Sequence, residues 1–187
     1  MLNLFDIVSS NNFSHLIIQK PLPNQLEAGW NEIKNLIPPE MDIDGFTPYS
    51  KYKPCTPYGI MKYLEACGVR LDGAHVVVIG RSELVGKPLA QMMTDANATV
   101  TLCHSHTKYL RDYTKNADVV VVAVGKAGFF NAEWASNAQI IVDVGINFNE
   151  EGKLVGDVIG GSRVTPVPGG VGLLTRWALL DQMTAEN

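Results

Sequence analysis

Between an apolar run, Val76 to Ile79, and a helix-like segment lies Gly80-Arg81-Ser82-Glu83-Leu84-Val85-Gly86-Lys87-Pro88, a stretch whose residue types and spacing suit anion binding. A strand that turns through glycine into a helix start leaves unpaired backbone N–H groups and the positive end of the helix dipole facing a ligand. Two known phosphate loops can be compared with it. A P-loop places four residues between its glycines and follows them with Lys and then Ser or Thr. Here five residues intervene and Pro88 follows Lys87, which excludes a nucleoside triphosphate site of that type. The GxGxxG pattern is also incomplete, because Ser82 stands at its second glycine and Gly86 falls one residue late. As a glycine pattern alone, the loop fits a structural turn as well as a nucleotide site.

The end of the next apolar run carries more information. An Asp or Glu there would hold the ribose 2′-hydroxyl of NAD and repel a 2′-phosphate. The run ends instead in Cys103-His104-Ser105, and Asp95 precedes it. Arg81 supplies a permanent cation and Ser105 a hydroxyl, so the residues favour NADP over NAD. His104 and His106 are spaced to share one face of a strand, but no third ligand has sensible spacing and no metal site is expected. Asp44, in Asp42-Ile43-Asp44-Gly45, reads from its own surroundings as a turn carboxylate.

These residues need elements to position them. Leu2, Phe5, Ile7 and Val8 suggest one face of a short helix, Leu16-Ile17-Ile18 a buried strand ended by Pro21 and Pro23, and residues 25 to 36 a helix closed by Pro38-Pro39. From Thr56 the pattern alternates. A helix capped by Thr56 with Pro57 in first position would place Ile60, Leu64 and Cys67 on one face. Strands are expected at 75–79, 99–103, 119–124 and 140–144, with helices near 83–95, 110–116 and 132–136 between them. A last strand at 163–167 and a closing helix at 173–183 complete the reading. The Val and Ile runs hardly alternate with polar residues, as expected of strands buried on both faces of a parallel sheet. The fold class is therefore α/β, a Rossmann-like doubly wound parallel sheet.

Composition narrows the function class. In 187 residues there is room for one full α/β domain and part of a second, and a net charge of −4 offers no basic excess for nucleic acid. Three cysteines without a CxxC pair, Cys55, Cys67 and Cys103, suit a reducing compartment and buried or neutral thiols. No signal-like N-terminus and no run of about 20 apolar residues is present, so a cytoplasmic protein without a membrane partner is expected.

Seven segments occur in order: Gln19-Lys20-Pro21-Leu22-Pro23, Asp42-Ile43-Asp44-Gly45-Phe46, Pro54-Cys55-Thr56-Pro57-Tyr58-Gly59, the Gly80 to Pro88 loop, Asp143-Val144-Gly145-Ile146-Asn147, Val155-Gly156-Asp157-Val158 and Thr165-Pro166-Val167-Pro168-Gly169-Gly170-Val171-Gly172. Together they closely resemble the bifunctional methylenetetrahydrofolate dehydrogenase/methenyltetrahydrofolate cyclohydrolase family. The resemblance implies a folate-binding catalytic domain at 1–56, here shortened, an NADP-binding Rossmann-like domain at 57–168 and a closing helix at 169–187 that returns to the first domain. It implies oxidation of 5,10-methylenetetrahydrofolate by hydride transfer to NADP, then hydrolysis of the methenyl product to 10-formyltetrahydrofolate. Asp44 would bind the pterin and Gln19 would tune a catalytic lysine. Pro168, Gly169, Gly170 and Gly172 would line the folate site. The cofactor would meet Gly80, Arg81, Ser82, Val85, Gly86, Ser105, Gly145 and Ile146. A homodimer, or pairing with a full-length relative, is implied as well.

Departures from the family pattern shape the expectation. Its Tyr-x-x-x-Lys motif, whose lysine moves the proton in hydrolysis, has no counterpart in this sequence. The loop from Phe46 to Pro54 is shorter, leaving Lys51 and Lys53 as candidate substitutes, and Lys20 and Leu173 replace residues that are usually Leu and Pro. Dehydrogenase activity with weak or lost cyclohydrolase activity is expected. The alternative is a noncatalytic dinucleotide- or folate-binding protein.

Overall fold

The computed structural model describes residues 13–18, 22, 23 and 27–185. The expected helix at the start of the chain, together with Gln19 and Lys20, lies outside them. The chain forms two compact units, Met1–Cys55 with Leu179–Asn187, and Thr56–Ala178.

The larger unit is built on a four-stranded parallel sheet of β1 (His75–Ile79), β2 (Thr99–Cys103), β3 (Val119–Val122) and β5 (Ile140–Asp143), in the order β2-β1-β3-β5. Along each strand alternate residues serve opposite faces. Val76, Val78, Val119, Val121 and Val142 pack with Ile60, Leu64, Leu89 and Met93, whereas Val77, Ile79, Val120, Val122 and Ile141 pack with Phe130 and Ala135. Both faces are thus covered, which is why the runs read as unbroken Val and Ile rather than as an alternating pattern. The chain leaves β1 toward β2, then returns across β1 to β3. This reversal is the topological switch point, outside whose carboxyl strand ends such sheets bind ligands.

Helices and short pieces complete the unit. Helix α2 (Cys55–Ala66) precedes β1, α3 (Gly86–Asp95) joins β1 to β2, and α4 (Leu110–Thr114) precedes β3. Beyond β3 come β4 (Phe130–Asn131), a 3₁₀ turn (Ala132–Ala135), β6 (Asn147–Phe148), β7 (Leu154–Val155), β8 (Val158–Ile159) and α5 (Val171–Thr184). The smaller unit contains α1 (Trp30–Asn35), whose Trp30 meets Phe46 edge to face at 5.6 Å.

Several expected elements need correction. Leu16 makes only an isolated parallel bridge to Asp42, and Ile17 is 49% exposed, so Leu16-Ile17-Ile18 is not a buried strand; three apolar residues cannot show which side a neighbour will cover. Val164 likewise forms one bridge, to Ile141, in place of the strand at 163–167. The helix expected from Thr56 begins at Cys55, and Thr56 does not serve as its cap; its hydroxyl lies 2.9 Å from that of Thr175. Ile60 and Leu64 are buried on the core face as expected, but Cys67 is exposed just past the helix, while Cys55 and Cys103 are buried.

Candidate functional site

Three places carry the residues singled out in the sequence. The first is a cleft of about 490 Å³ at the carboxyl ends of β1, β2 and β3. Gly80, Arg81 and Ser82 line it from β1, His104, Ser105 and Thr107 from β2, and Ala123, Val124, Lys126 and Phe129 from β3. Two cations and no carboxylate stand among its lining residues.

The local structure follows from two glycines and a serine. Gly80 has φ +120°, and a Cβ there would lie 2.1 Å from the carbonyl oxygen of Ala123, so only glycine lets the turn pass this close to β3. A Cβ on Gly86 would lie 1.9 Å from the Gly80 carbonyl oxygen. Ser82 Oγ accepts the N–H groups of Val85 and Gly86 at 3.2 and 3.3 Å. The serine at the second-glycine position therefore holds the loop closed and delays the helix to Gly86, three residues later than the sequence suggests. Val85 and Gly86 shape the loop but are not among the residues lining the cleft.

The second place is a smaller depression of about 280 Å³, lined by Asp143 to Ile146, Leu154, Pro166 to Leu173 and Arg176. It brings together Gly145, Ile146, Pro168, Gly169, Gly170 and Gly172, so Gly145 and Ile146 line this depression and not the first cleft. Its glycines have different reasons to be glycine. Gly170 presses on the Pro166 carbonyl oxygen, which a Cβ would meet at 2.3 Å, and Gly169 has φ +99°. A Cβ on Gly172 would meet open space, so no neighbour within the chain requires glycine there.

Two aspartates are buried beside these sites: Asp143, which lines the second depression, is 3% exposed, and Asp157, which lines neither, is 0% exposed. Asp143 accepts the N–H groups of Gly145, Asp157 and Val158 at 2.8, 2.9 and 2.9 Å. Burial nonetheless pushes its carboxyl above the usual range against the pull of those bonds. Gly145 and Gly156 are glycines because a Cβ on either would strike these carboxylates. Sequence reading passed over Asp157 as a site residue, since its partners are 10 to 33 residues away.

The third place, in the smaller unit, is the turn holding Asp42 and Asp44. Asp42, 1% exposed, accepts the N–H groups of Phe46 and Thr47 at 3.0 and 2.7 Å and is the structural turn carboxylate. Asp44 is half-buried and leaves that role to its neighbour. Burial pushes its carboxyl up to about 6, the Cys55 thiol beside it pulls downward, and Asp42 adds a smaller push upward. Burial likewise pushes the Cys55 thiol up to about 12, which makes it inert. Gln182, also missed in the sequence, clamps the turn: its Oε1 accepts the Lys53 N–H at 2.8 Å and its Nε2 donates to the carbonyls of Lys53 and Ile43 at 3.0 and 3.2 Å. Lys51 and Lys53 are both exposed, with Lys51 Nζ 4.8 Å above the Tyr52 ring.

Residues 54–187 match the family model of the tetrahydrofolate dehydrogenase/cyclohydrolase NAD(P)-binding domain. The chain belongs to the tetrahydrofolate dehydrogenase/cyclohydrolase family. Among its relatives, the bifunctional protein FolD of Burkholderia orbicola is 45% identical over 88% of this chain and 62% of its own length. FolD of Pelobacter propionicus is 43% identical over all of this chain and 71% of its own. The chain thus spans 62% and 71% of the length of these two relatives. In solved structures, the bifunctional FolD of Campylobacter jejuni matches with a TM-score of 0.85 at 37% identity, covering 96% of this chain and 69% of that one. The Trypanosoma brucei enzyme, complexed with NADP cofactor and inhibitor, matches with a TM-score of 0.83 at 30% identity over 94% and 67%. Among the described residues no helix is long and apolar enough to cross a membrane, and no group of three or more metal-ligating side chains occurs.

Proposed function

We propose that the chain binds NADP in the cleft at the carboxyl ends of β1, β2 and β3 and oxidises 5,10-methylenetetrahydrofolate to the methenyl form. The observation carrying this reading is the switch-point cleft itself, with its glycine turn, two cations and no acid. The bound dinucleotide supplies the hydride acceptor. The protein's part is to bind and orient. Gly80, Arg81, Ser82, Ser105 and Lys126 would hold the cofactor, with Arg81, exposed at the mouth, suited to a phosphate on the ribose. Gly145, Ile146 and the Pro168 to Gly172 stretch would receive reacting parts of cofactor and folate, and the open space beside Gly172 supports that assignment. Asp44 would accept parallel hydrogen bonds from the aminopyrimidinone edge of the pterin. Positioning of this kind can contribute about 7 to 11 kcal/mol to lowering the barrier. Hydrolysis of the methenyl product needs in addition a group that moves protons. The exposure of Lys51 and Lys53 supports weak hydrolysis by this chain.

A spectrophotometric assay with methylenetetrahydrofolate and NADP, following reduced cofactor and methenyl product separately, tests the whole reading. Reduced cofactor should appear with methenyl product accumulating. Binding of NADP or folate without turnover would instead establish a noncatalytic binder. For cofactor choice, Arg81→Ala should weaken NADP by about 1.5 to 3 kcal/mol and leave NAD nearly unchanged. Equal affinities of the wild type for NADP and NAD in a titration would remove the claim.

A further inference from the structure

We infer that Asp157, a buried residue outside both depressions, is a positioning residue that sets the β3 wall of the cofactor cleft. Three successive backbone N–H groups after β3 converge on its carboxylate: Val124 and Gly125 donate to Oδ2 at 2.7 and 2.9 Å, and Lys126 donates to Oδ1 at 2.8 Å. The Asn147 side-chain amide adds a fourth donor, at 2.9 Å to Oδ1. Consecutive amides aimed at one point form an anion-binding concavity, the kind of loop that elsewhere receives a phosphate. In this chain the anion is its own. The loop that brings Val124 and Lys126 to the cleft is therefore shaped before any ligand arrives, with the amides of residues 124 to 126 committed to Asp157.

The same residue ties in the neighbouring depression. Its own N–H donates to Asp143 Oδ1 at 2.9 Å, and Asp143 also takes the Gly145 N–H. Gly145 packs so closely that a Cβ would lie 2.5 Å from the Asp157 carboxyl carbon. One buried residue thus ties together the segments that follow β3 and β5, the first through its carboxylate and the second through its N–H and the Asn147 amide, and each segment lines a proposed ligand site. A low-dielectric network with every member satisfied is rigid, and a change at its centre should propagate to both walls.

The inference rests on the cleft being the dinucleotide site, and its test separates the two ideas. Asp157→Asn places an amide NH₂ among groups that are all donors. Measured by fluorescence titration with NADPH, well below the unfolding temperature, the variant should bind at least tenfold more weakly than wild type. Hydrogen exchange should show lost protection at Val124, Gly125 and Lys126. A purely structural role would lower the amount of folded, active protein and leave the dissociation constant of the folded fraction unchanged. If Asp157→Asn does not fold, Asn147→Ala, which removes the fourth donor together with a long 3.5 Å contact to the Val155 carbonyl, should still raise the constant, by a few-fold. Wild-type affinity in whichever variant folds would overturn this proposal alone. Failure of the wild type to bind either NADPH or NADH would overturn the reading of the cleft and this proposal with it.

Discussion

Replacing Asp44 by Asn is expected to lower kcat/KM for methylenetetrahydrofolate by ~10²- to 10⁴-fold, the equivalent of losing two charge-assisted hydrogen bonds. The pH dependence of the wild type should show the same group. Its carboxyl lies at about 6, chiefly because burial penalises the charge, so the carboxylate proposed to accept the pterin donors is lost as pH falls through that value. KM for the folate should rise toward a tenfold increase per pH unit below it, while Asp44→Asn flattens the profile. A wild-type KM that stays level from pH 7 to pH 5 would refute the assignment.

The stability of the protein should run the other way. Between the ordinary carboxylate value of 3.8 and about 6, the folded chain holds a proton at Asp44 that the unfolded chain has released. Unfolding therefore loses protons in that window, and the group's contribution to stability falls as pH rises through it, then levels off. At neutral pH the charged Asp44 is a burden on the fold that ligand binding can offset. Asp44→Asn should accordingly be modestly more stable than wild type at pH 7 to 8, with the difference vanishing below pH 4. Gain of stability with loss of substrate recognition is a common trade at binding sites.

The contrast between Asp42 and Asp44 shows where sequence reading stops. Both stand in the same Asp-x-Asp-Gly turn, and composition cannot say which one ties the turn together. The N–H groups of Phe46 and Thr47 decide it in favour of Asp42. The β1 boundaries, by comparison, were readable to the residue, because a strand covered on both faces is almost wholly apolar and the flanking residues break that run, while edge strand β2, Thr-Val-Thr-Leu-Cys, was readable from its β-branched residues. The start of α3 was not, since the amides of Val85 and Gly86 bond to a hydroxyl rather than to a preceding turn. Asp157 was legible only as part of a motif. Its partners arrive from the segment after β3 and from β6, and contacts that distant leave no periodicity in the chain. The same holds for Gln182, whose contacts are with a loop 129 residues earlier.

Gly80→Ala is expected to be among the most damaging single-methyl changes in the larger unit, since it combines a backbone clash with a positive φ. The new Cβ would sit 2.1 Å from the Ala123 carbonyl oxygen, which is backbone and cannot rotate away. Nor can the strands part easily. The Ala123 N–H donates to the Ile79 carbonyl at 2.8 Å, so separating β1 from β3 breaks the ladder where the cleft begins, and the Gly80 N–H, donating to the Cys103 carbonyl at 2.9 Å, ties the turn to β2 on the other side. The φ of +120° adds strain of its own. Overpacking and backbone strain each cost about 1 to 3 kcal/mol, and together they should lower stability by about 3 to 5 kcal/mol. At roughly 2 to 4 °C per kcal/mol for a domain of this size, the unfolding midpoint should fall by about 10 °C or more. Gly73→Ala is the matched control. Its φ is +80°, yet a Cβ there meets nothing within 4 Å, so it suffers the left-handed backbone penalty of about 1 to 2 kcal/mol alone. Cofactor affinity should be unchanged in Gly73→Ala and lost in Gly80→Ala even where the latter remains folded, because its turn can no longer approach β3. Equal shifts of the midpoint in the two variants would mean that backbone conformation, and not the close approach to Ala123, is why residue 80 is glycine.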